Sequence, residues 1–128
     1  MKPIRSILLI LTTLLHMGIG TATAQTANSE NAIITVRFKA QPDKGAEAVL
    51  AITKLLEQVK KEPNFVSITM HVDAKDDTNI LLYEVWSDAS YYYGAHMETP
   101  HLQQFMTDSR NFLAGPPEIV GWKLQGEF

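Results

Sequence analysis

The stretch Tyr83-Glu84-Val85-Trp86-Ser87-Asp88-Ala89-Ser90, continued by Ala95-His96-Met97-Glu98-Thr99-Pro100-His101-Leu102 and Phe105, decides how the rest of the chain is read. It begins inside an apolar run, Ile80 to Trp86. Leu81, Tyr83 and Val85 fall on one side and Ile80, Leu82, Glu84 and Trp86 on the other, the period-2 pattern of a strand. Ser87 or Asp88 then offers a helix cap, and the helix it starts is predicted to reach about Met97. Thr99-Pro100 restarts a helix, with proline at the first helical position, where its missing N–H costs nothing. This last helix is predicted to run to about Leu113 and to break at Gly115-Pro116-Pro117.

Upstream, Ala32 to Ala40 alternates, with Ile34, Val36 and Phe38 opposite Thr35, Arg37 and Lys39, and predicts a half-buried strand. Pro42-Asp43 ends it and offers Asp43 as an N-cap. From Lys44 to Lys61, Ala46, Val49, Leu50, Ile52, Leu56 and Val59 recur at helical spacing until Pro63-Asn64 stops the helix. A second strand, Phe65 to Asp73, is predicted to point Val66, Ile68, Met70 and Val72 inward, followed by a polar turn at Asp76-Asp77-Thr78-Asn79. Downstream, Glu118 to Leu124 predicts a last strand with Val120, Trp122 and Leu124 on one face.

The order β-α-β-β-α-β is that of an α+β, ferredoxin-like domain: a four-stranded antiparallel sheet with its helices on one face. A strand that is apolar on both sides expects cover on both, and the helices of one chain cover only one. The face expected to be left open carries Ile33, Thr35, Arg37, Thr69, His71, Ile80, Leu82, Glu84 and Trp86, too apolar at its centre for water. A homodimer packed sheet on sheet is therefore expected. Arg37 and Glu84 are expected to pair inside it, since a lone buried charge is costly.

The chain has 128 residues, a length for one domain. Lys2 and Arg5 precede an apolar run to Leu15, and Ala22-Thr23-Ala24 supplies small residues for cleavage, so residues 1–24 read as a secretory signal peptide. Retention as an N-terminal anchor is the alternative. Residues 25–31 read as a flexible tether and 32–128 as the domain. The expected location is exported, periplasmic or secreted, with no stable membrane insertion after cleavage. Without Lys2 and Arg5 the bases number 11 − 2 = 9 against 14 acids, a net −5, which argues against nucleic acid as partner. There is no cysteine, which excludes thiolate catalysis and cysteine-ligated metals.

Of the polar candidates, His96 has the side chain suited to proton transfer near neutrality, and otherwise serves as a packing residue. His101 sits five positions on, about 140° away around an ideal helix, so the pair does not share a face and no metal site is expected. Tyr91, Tyr92 and Tyr93 place a phenol on every side of one turn, so that one of them, with Tyr92 as candidate, reaches any pocket there. Met97, Leu102, Phe105 and Met106 form a helical stripe, as a core or a pocket for a planar ligand requires. Trp86 and Tyr83 lie on opposite faces of a regular strand, so only one of them can line a given pocket.

The Tyr83-Glu84-x-Trp86 strand, the acidic turn, Ala95-His96, Pro100-His101 and Phe105 together resemble the antibiotic biosynthesis monooxygenase (ABM) domain family, quinol-monooxygenase-like members of the dimeric α/β-barrel superfamily. The match is close over this segment and extends to the rest in layout. The resemblance implies a homodimer, and a histidine at position 96 beside a pocket between helices and sheet. It also implies oxygenation of a hydroquinone or similar electron-rich aromatic by O2 with no bound cofactor. On it, His96 is the expected base, with Trp86, Tyr83, Tyr92, Met97, His101 and Phe105 about the substrate. Two other expectations stand beside this one. The alternative is a non-catalytic exported dimeric module that binds a small hydrophobic molecule. A haem-binding or haem-degrading branch is disfavoured, because its helix tryptophan and ligand histidine correspond here to Ala95 and Phe105.

Overall fold

The computed structural model describes residues 30–128. The signal peptide and most of the tether expected from the sequence lie outside the described residues. The elements are β1 (Ala32–Lys39), α1 (Gly45–Val59), β2 (Phe65–Asp73), β3 (Asp76–Trp86), α2 (Ala89–Tyr93), a 3-10 turn (Ala95–Glu98), α3 (Pro100–Asp108), a second 3-10 turn (Ser109–Asn111) and β4 (Glu118–Trp122). The strands form one antiparallel sheet in the order β2-β3-β1-β4, the ferredoxin-like arrangement.

Strand parity sets which face is covered. Ile34, Val36 and Phe38 of β1 are buried, and across the ladder they meet Glu84, Leu82 and Ile80 of β3. Ile52, Leu55 and Val59 of α1 and Phe105 of α3 join the same core, so the helices lie on this inner face. Each fully buried large aliphatic contributes about 1.5–3 kcal/mol, and this layer supplies most of the driving force for the fold. The outer face carries Ile33, Thr35, Arg37, Leu81, Tyr83, Val85, Val120 and Trp122.

The expectation for the open face is therefore half corrected. Thr35, Arg37, Thr69 and His71 do lie outward, but Ile80, Leu82, Glu84 and Trp86 point to the helices and are buried. Arg37 stands opposite Leu81, on the other side of the sheet from Glu84, so the two do not pair. The physical reason is Trp86. Its indole has no exposed surface and packs edge-on against Phe65 and against Tyr92, and residues two apart on a strand share its face.

Several boundaries move for local reasons. A bulge between Phe65 and Ser67 puts Phe65 opposite Trp86 and leaves Val66, expected inward, 46% exposed. Val72, at the end of the edge strand, is also largely exposed. The Asp76-to-Asn79 segment is strand and not turn. Asp76 pairs with Asp73, while its carboxylate accepts from Thr78 and from Lys39 Nζ at 2.5 Å. Asp43 has φ 61° and does not cap α1; Lys44 holds that position without a side-chain bond. Gly45 opens α1 against the Asp77 carbonyl, where a Cβ would come within 2.5 Å of the oxygen.

Candidate functional site

The site is built where three short segments meet on the inner face. Asp88 caps α2, accepting from the backbone N–H groups of Ser90 and Tyr91 at 2.8 and 3.4 Å. The predicted helix to Met97 stops early, at Gly94, where a Cβ would come 2.9 Å from the Ser90 carbonyl, and the chain continues as a 3-10 turn. Thr99 is extended, so that α3 starts afresh at Pro100, and the Thr99 hydroxyl donates to the His96 carbonyl at 2.9 Å. On the facing side, Asn64 takes a left-handed conformation (φ 65°) after Pro63. Its carbonyl accepts from Ser87 N–H at 2.8 Å, tying the end of α1 to the start of α2.

That tie brings Glu62 to the histidines. His96 Nδ1 lies 2.9 and 3.1 Å from the two Glu62 oxygens, His101 Nε2 lies 2.8 Å from Oε2, and the Tyr91 hydroxyl donates to Oε1 at 3.0 Å. Glu62 and His96 side chains are buried, and His101 reaches the surface. A carboxylate only accepts, so with Glu62 ionised both imidazoles present N–H to it. The Glu62 bond thus fixes the His96 proton at Nδ1 and its lone pair at Nε2. The break at Thr99-Pro100 makes this possible, for on an unbroken helix the two histidines would diverge. Among the described residues no group of three or more histidine or acidic side chains has metal-holding geometry.

His96 is clamped as a ring as well. Its centroid lies 4.7 Å from Trp86 and 4.9 Å from Tyr92, with the latter stacked at 23°. Among the described residues its Nε2 makes no hydrogen bond and no side-chain nitrogen or oxygen is both sealed and unpartnered, so Nε2 keeps open space beside it. His96 stands on the wall of a cavity of about 310 Å³, with Val36, Leu55, Leu82, Glu84, Tyr92, Met97, Leu102, Phe105 and Ile119 among the other wall residues. The cavity lies at the small end of ligand pockets, ~300–1,000 Å³, and is mostly apolar with few polar groups, as such pockets are.

Two carboxyls behave differently here. Glu62 has a full set of donors. Glu84 is 4% exposed and accepts one bond, from Trp86 Nε1 at 2.8 Å. Burial pushes its carboxyl up to about 7, against the pull of the indole bond and with a further push from Glu62. Burial, with Glu84 and Tyr93 adding, also raises the Tyr92 phenol well above its ordinary value.

Residues 32–108 match the family model for antibiotic biosynthesis monooxygenase. The chain belongs to the ABM family. An uncharacterised protein of Synechocystis sp. is 30% identical over 93 residues, 72% of this chain and 62% of that protein, so the chain spans less than two thirds of that relative's length. A Pseudomonas aeruginosa protein of known structure superposes with TM-score 0.67 at 17% identity, covering 75% of this chain and 95% of its own. A Nitrosomonas europaea protein gives TM-score 0.67 at 23% identity, covering 74% and 90%. A structure described as an antibiotic biosynthesis monooxygenase gives 0.66 at 17%, covering 74% and 99%. At these identities the superpositions carry the fold alone, that of the dimeric α/β-barrel.

Within this ABM domain the sequence-predicted residues divide cleanly. His96, Tyr92, Met97 and Phe105 line the cavity. Trp86 stands behind His96 as its packing partner and is not on the cavity wall. Tyr83 is corrected: it projects from the outer face, 41% exposed, because odd-numbered residues of β3 point away from the helices. His101 is also corrected, since it lies behind His96 on Glu62 and borders a shallow surface groove instead of the cavity. The sequence reading missed Glu62 and gave Glu84 to the wrong face. For Glu84 a signal existed, because an acid two residues before a strand tryptophan can bond the indole N–H on the same face. For Glu62 there was none, as its partners lie 34 and 39 residues away.

Proposed function

We propose that this protein is an exported, cofactor-independent monooxygenase that oxidises a hydroquinone or a similarly electron-rich aromatic with O2. The observation that carries the reading is His96: an imidazole on the wall of an apolar cavity, its Nδ1 held by a buried carboxylate and its Nε2 open. In this mechanism Nε2 takes the proton of a substrate hydroxyl, and the imidazolium so formed is stabilised by Glu62. The aromatic anion passes one electron to O2. The resulting radical and superoxide combine to form a C–O bond at the ring. Loss of water then leaves the hydroxylated quinone, so hydroquinone plus O2 gives hydroxyquinone plus water, with one oxygen atom in each.

The homodimer is part of the same proposal. Tyr83 and Trp122, 41% and 58% exposed, lie on the outer face with Ile33, Leu81 and Val85, and a two-fold sheet-on-sheet contact would cover them. Export rests on the charged, apolar and small-residue segments of residues 1–24, and places the substrate outside the cytoplasm.

The test is oxygen uptake under oxygen-18 gas by the mature protein stripped of metal and flavin, with a panel of hydroquinones. One labelled atom in the quinone product per O2 consumed is expected. Uptake no faster than buffer across the panel, from a folded dimer, would leave a binding module in place of an enzyme.

A further inference from the structure

The cavity holds a polar group that the base chemistry above does not use. Glu84 Oε2 is taken by the Trp86 indole, while Oε1 has no hydrogen-bond partner among the described residues. Since no described side-chain oxygen is both sealed and unpartnered, Oε1 keeps some open surface, and Glu84 lines the same cavity as His96. On the sheet Glu84 is flanked by Ile34 of β1 and Ile68 of β2, which offer it nothing. The titratable groups that face it are Glu62 after α1, Tyr92 of α2 and His96 of the 3-10 turn. The rest of the wall is largely aliphatic or aromatic. A ligand that satisfies this cavity must therefore meet two polar points, the lone pair of His96 and the free oxygen of Glu84.

We infer that Glu84 is the second anchor of the substrate, hydrogen-bonded through Oε1 to a second oxygen of an aromatic whose first hydroxyl faces His96. This rests on the proposed function and narrows its substrate class: the molecule carries two oxygens, and a monophenol lacks the group that holds it in place. The charge balance of the site requires the neutral form. Turnover places an anion in a low-dielectric cavity already beside Glu62, and a second carboxylate would oppose it. Burial keeps the Glu84 proton on up to a pH of about 7. As a neutral donor, Glu84 stabilises charge that spreads to the far oxygen once the first hydroxyl is deprotonated.

The test uses two phenols of similar size, 4-methoxyphenol and 4-ethylphenol, of which only the first carries a second oxygen, and is run without O2 so that neither is oxidised. Their affinities for the full dimer are compared by calorimetry. Both present the same hydroxyl to His96, so the ratio of affinities cancels His96, Glu62 and Tyr92 and reads the second contact alone. At pH 6 the methoxy compound is expected to bind about fivefold to tenfold more tightly, the worth of one hydrogen bond. At pH 8.5, with Glu84 ionised and unable to donate, the preference should vanish. Glu84→Gln, whose amide both serves the indole and donates without titrating, should keep the preference at both pH values. Glu84→Met should lose it at both. Equal binding of the two phenols by the wild type at pH 6, or a preference that does not change with pH, would overturn the inference while hydroquinone oxidation stood. Binding of neither phenol would overturn it together with the reading of the cavity.

Discussion

The two faces of β3 are almost equally apolar in sequence and end in different environments. Leu81, Tyr83 and Val85 look outward, where Tyr83 is 41% exposed; Ile80, Leu82 and Trp86 look inward and are sealed. The one acid of its apolar stretch from Ile80 to Trp86, Glu84, is on the sealed side. A charge on an apolar strand therefore does not mark its open face. Here it marks the wall of a cavity, and its cost is offset by an indole N–H and by holding a proton. The bulk of Trp86 fixes the parity, and Glu84 follows.

The largest way to break this comparison is Trp86→Ala, which removes a fully buried indole in contact with four other rings. A loss of about 4 kcal/mol is expected in denaturant unfolding, with His96 left loose. Next comes the pH dependence of stability. The Glu84 carboxyl titrates near 4.5 unfolded and about 7 folded. Between these values the folded chain holds one more proton. The contribution of Glu84 is thus complete below pH ~4.5 and falls by about 1.4 kcal/mol per pH unit until ~7, about 3 kcal/mol in all. Subtracting the stability profile of Glu84→Gln from that of the wild type should isolate this slope. A flat difference would put Glu84 in contact with water. The carboxyls held below their usual range, Asp73, Asp76 and Asp88 among them, act at more acid pH and leave this window clear.

Gly45→Ala tests the seat of α1 on the β2–β3 hairpin, and thereby the inner layer as a whole. Its new methyl would lie 2.5 Å from the Asp77 carbonyl, and a loss of about 2 kcal/mol is expected in thermal unfolding. The smallest effect belongs to the outer face. Tyr83→Ala should change monomer stability by less than about 1 kcal/mol. In sedimentation it should weaken the dimer, because Tyr83 lies on the face that the second copy is proposed to cover. A dimer unchanged by Tyr83→Ala and Trp122→Ala together would place the contact elsewhere.

The element order, the strand parity of β1 and the restart at Pro100 were legible in the sequence, because each follows from spacing or from proline chemistry within a few residues. His96, Tyr92, Met97 and Phe105 were expected together from the family resemblance and not from spacing, and they line one cavity. The face of β3 was not, since Leu81, Tyr83 and Val85 are as apolar as their neighbours and only packing against Phe65 and Tyr92 decides between them. Glu62 was silent as well. Its role depends on Asn64 turning left-handed and on the Ser87 tie, which join segments more than twenty residues apart. Spacing rules reach one turn of helix or one strand, and this cluster is made across them.

The central claim is that His96, on the inner face, is the base of an oxygen-consuming reaction. Oxygen uptake with a hydroquinone, measured side by side for wild type, His96→Ala and Tyr83→Ala, tests it most directly. Uptake by the wild type that falls on the order of 10²–10⁴-fold in His96→Ala and persists in Tyr83→Ala is the expected result. A folded His96→Ala protein that consumes oxygen at the wild-type rate would contradict it.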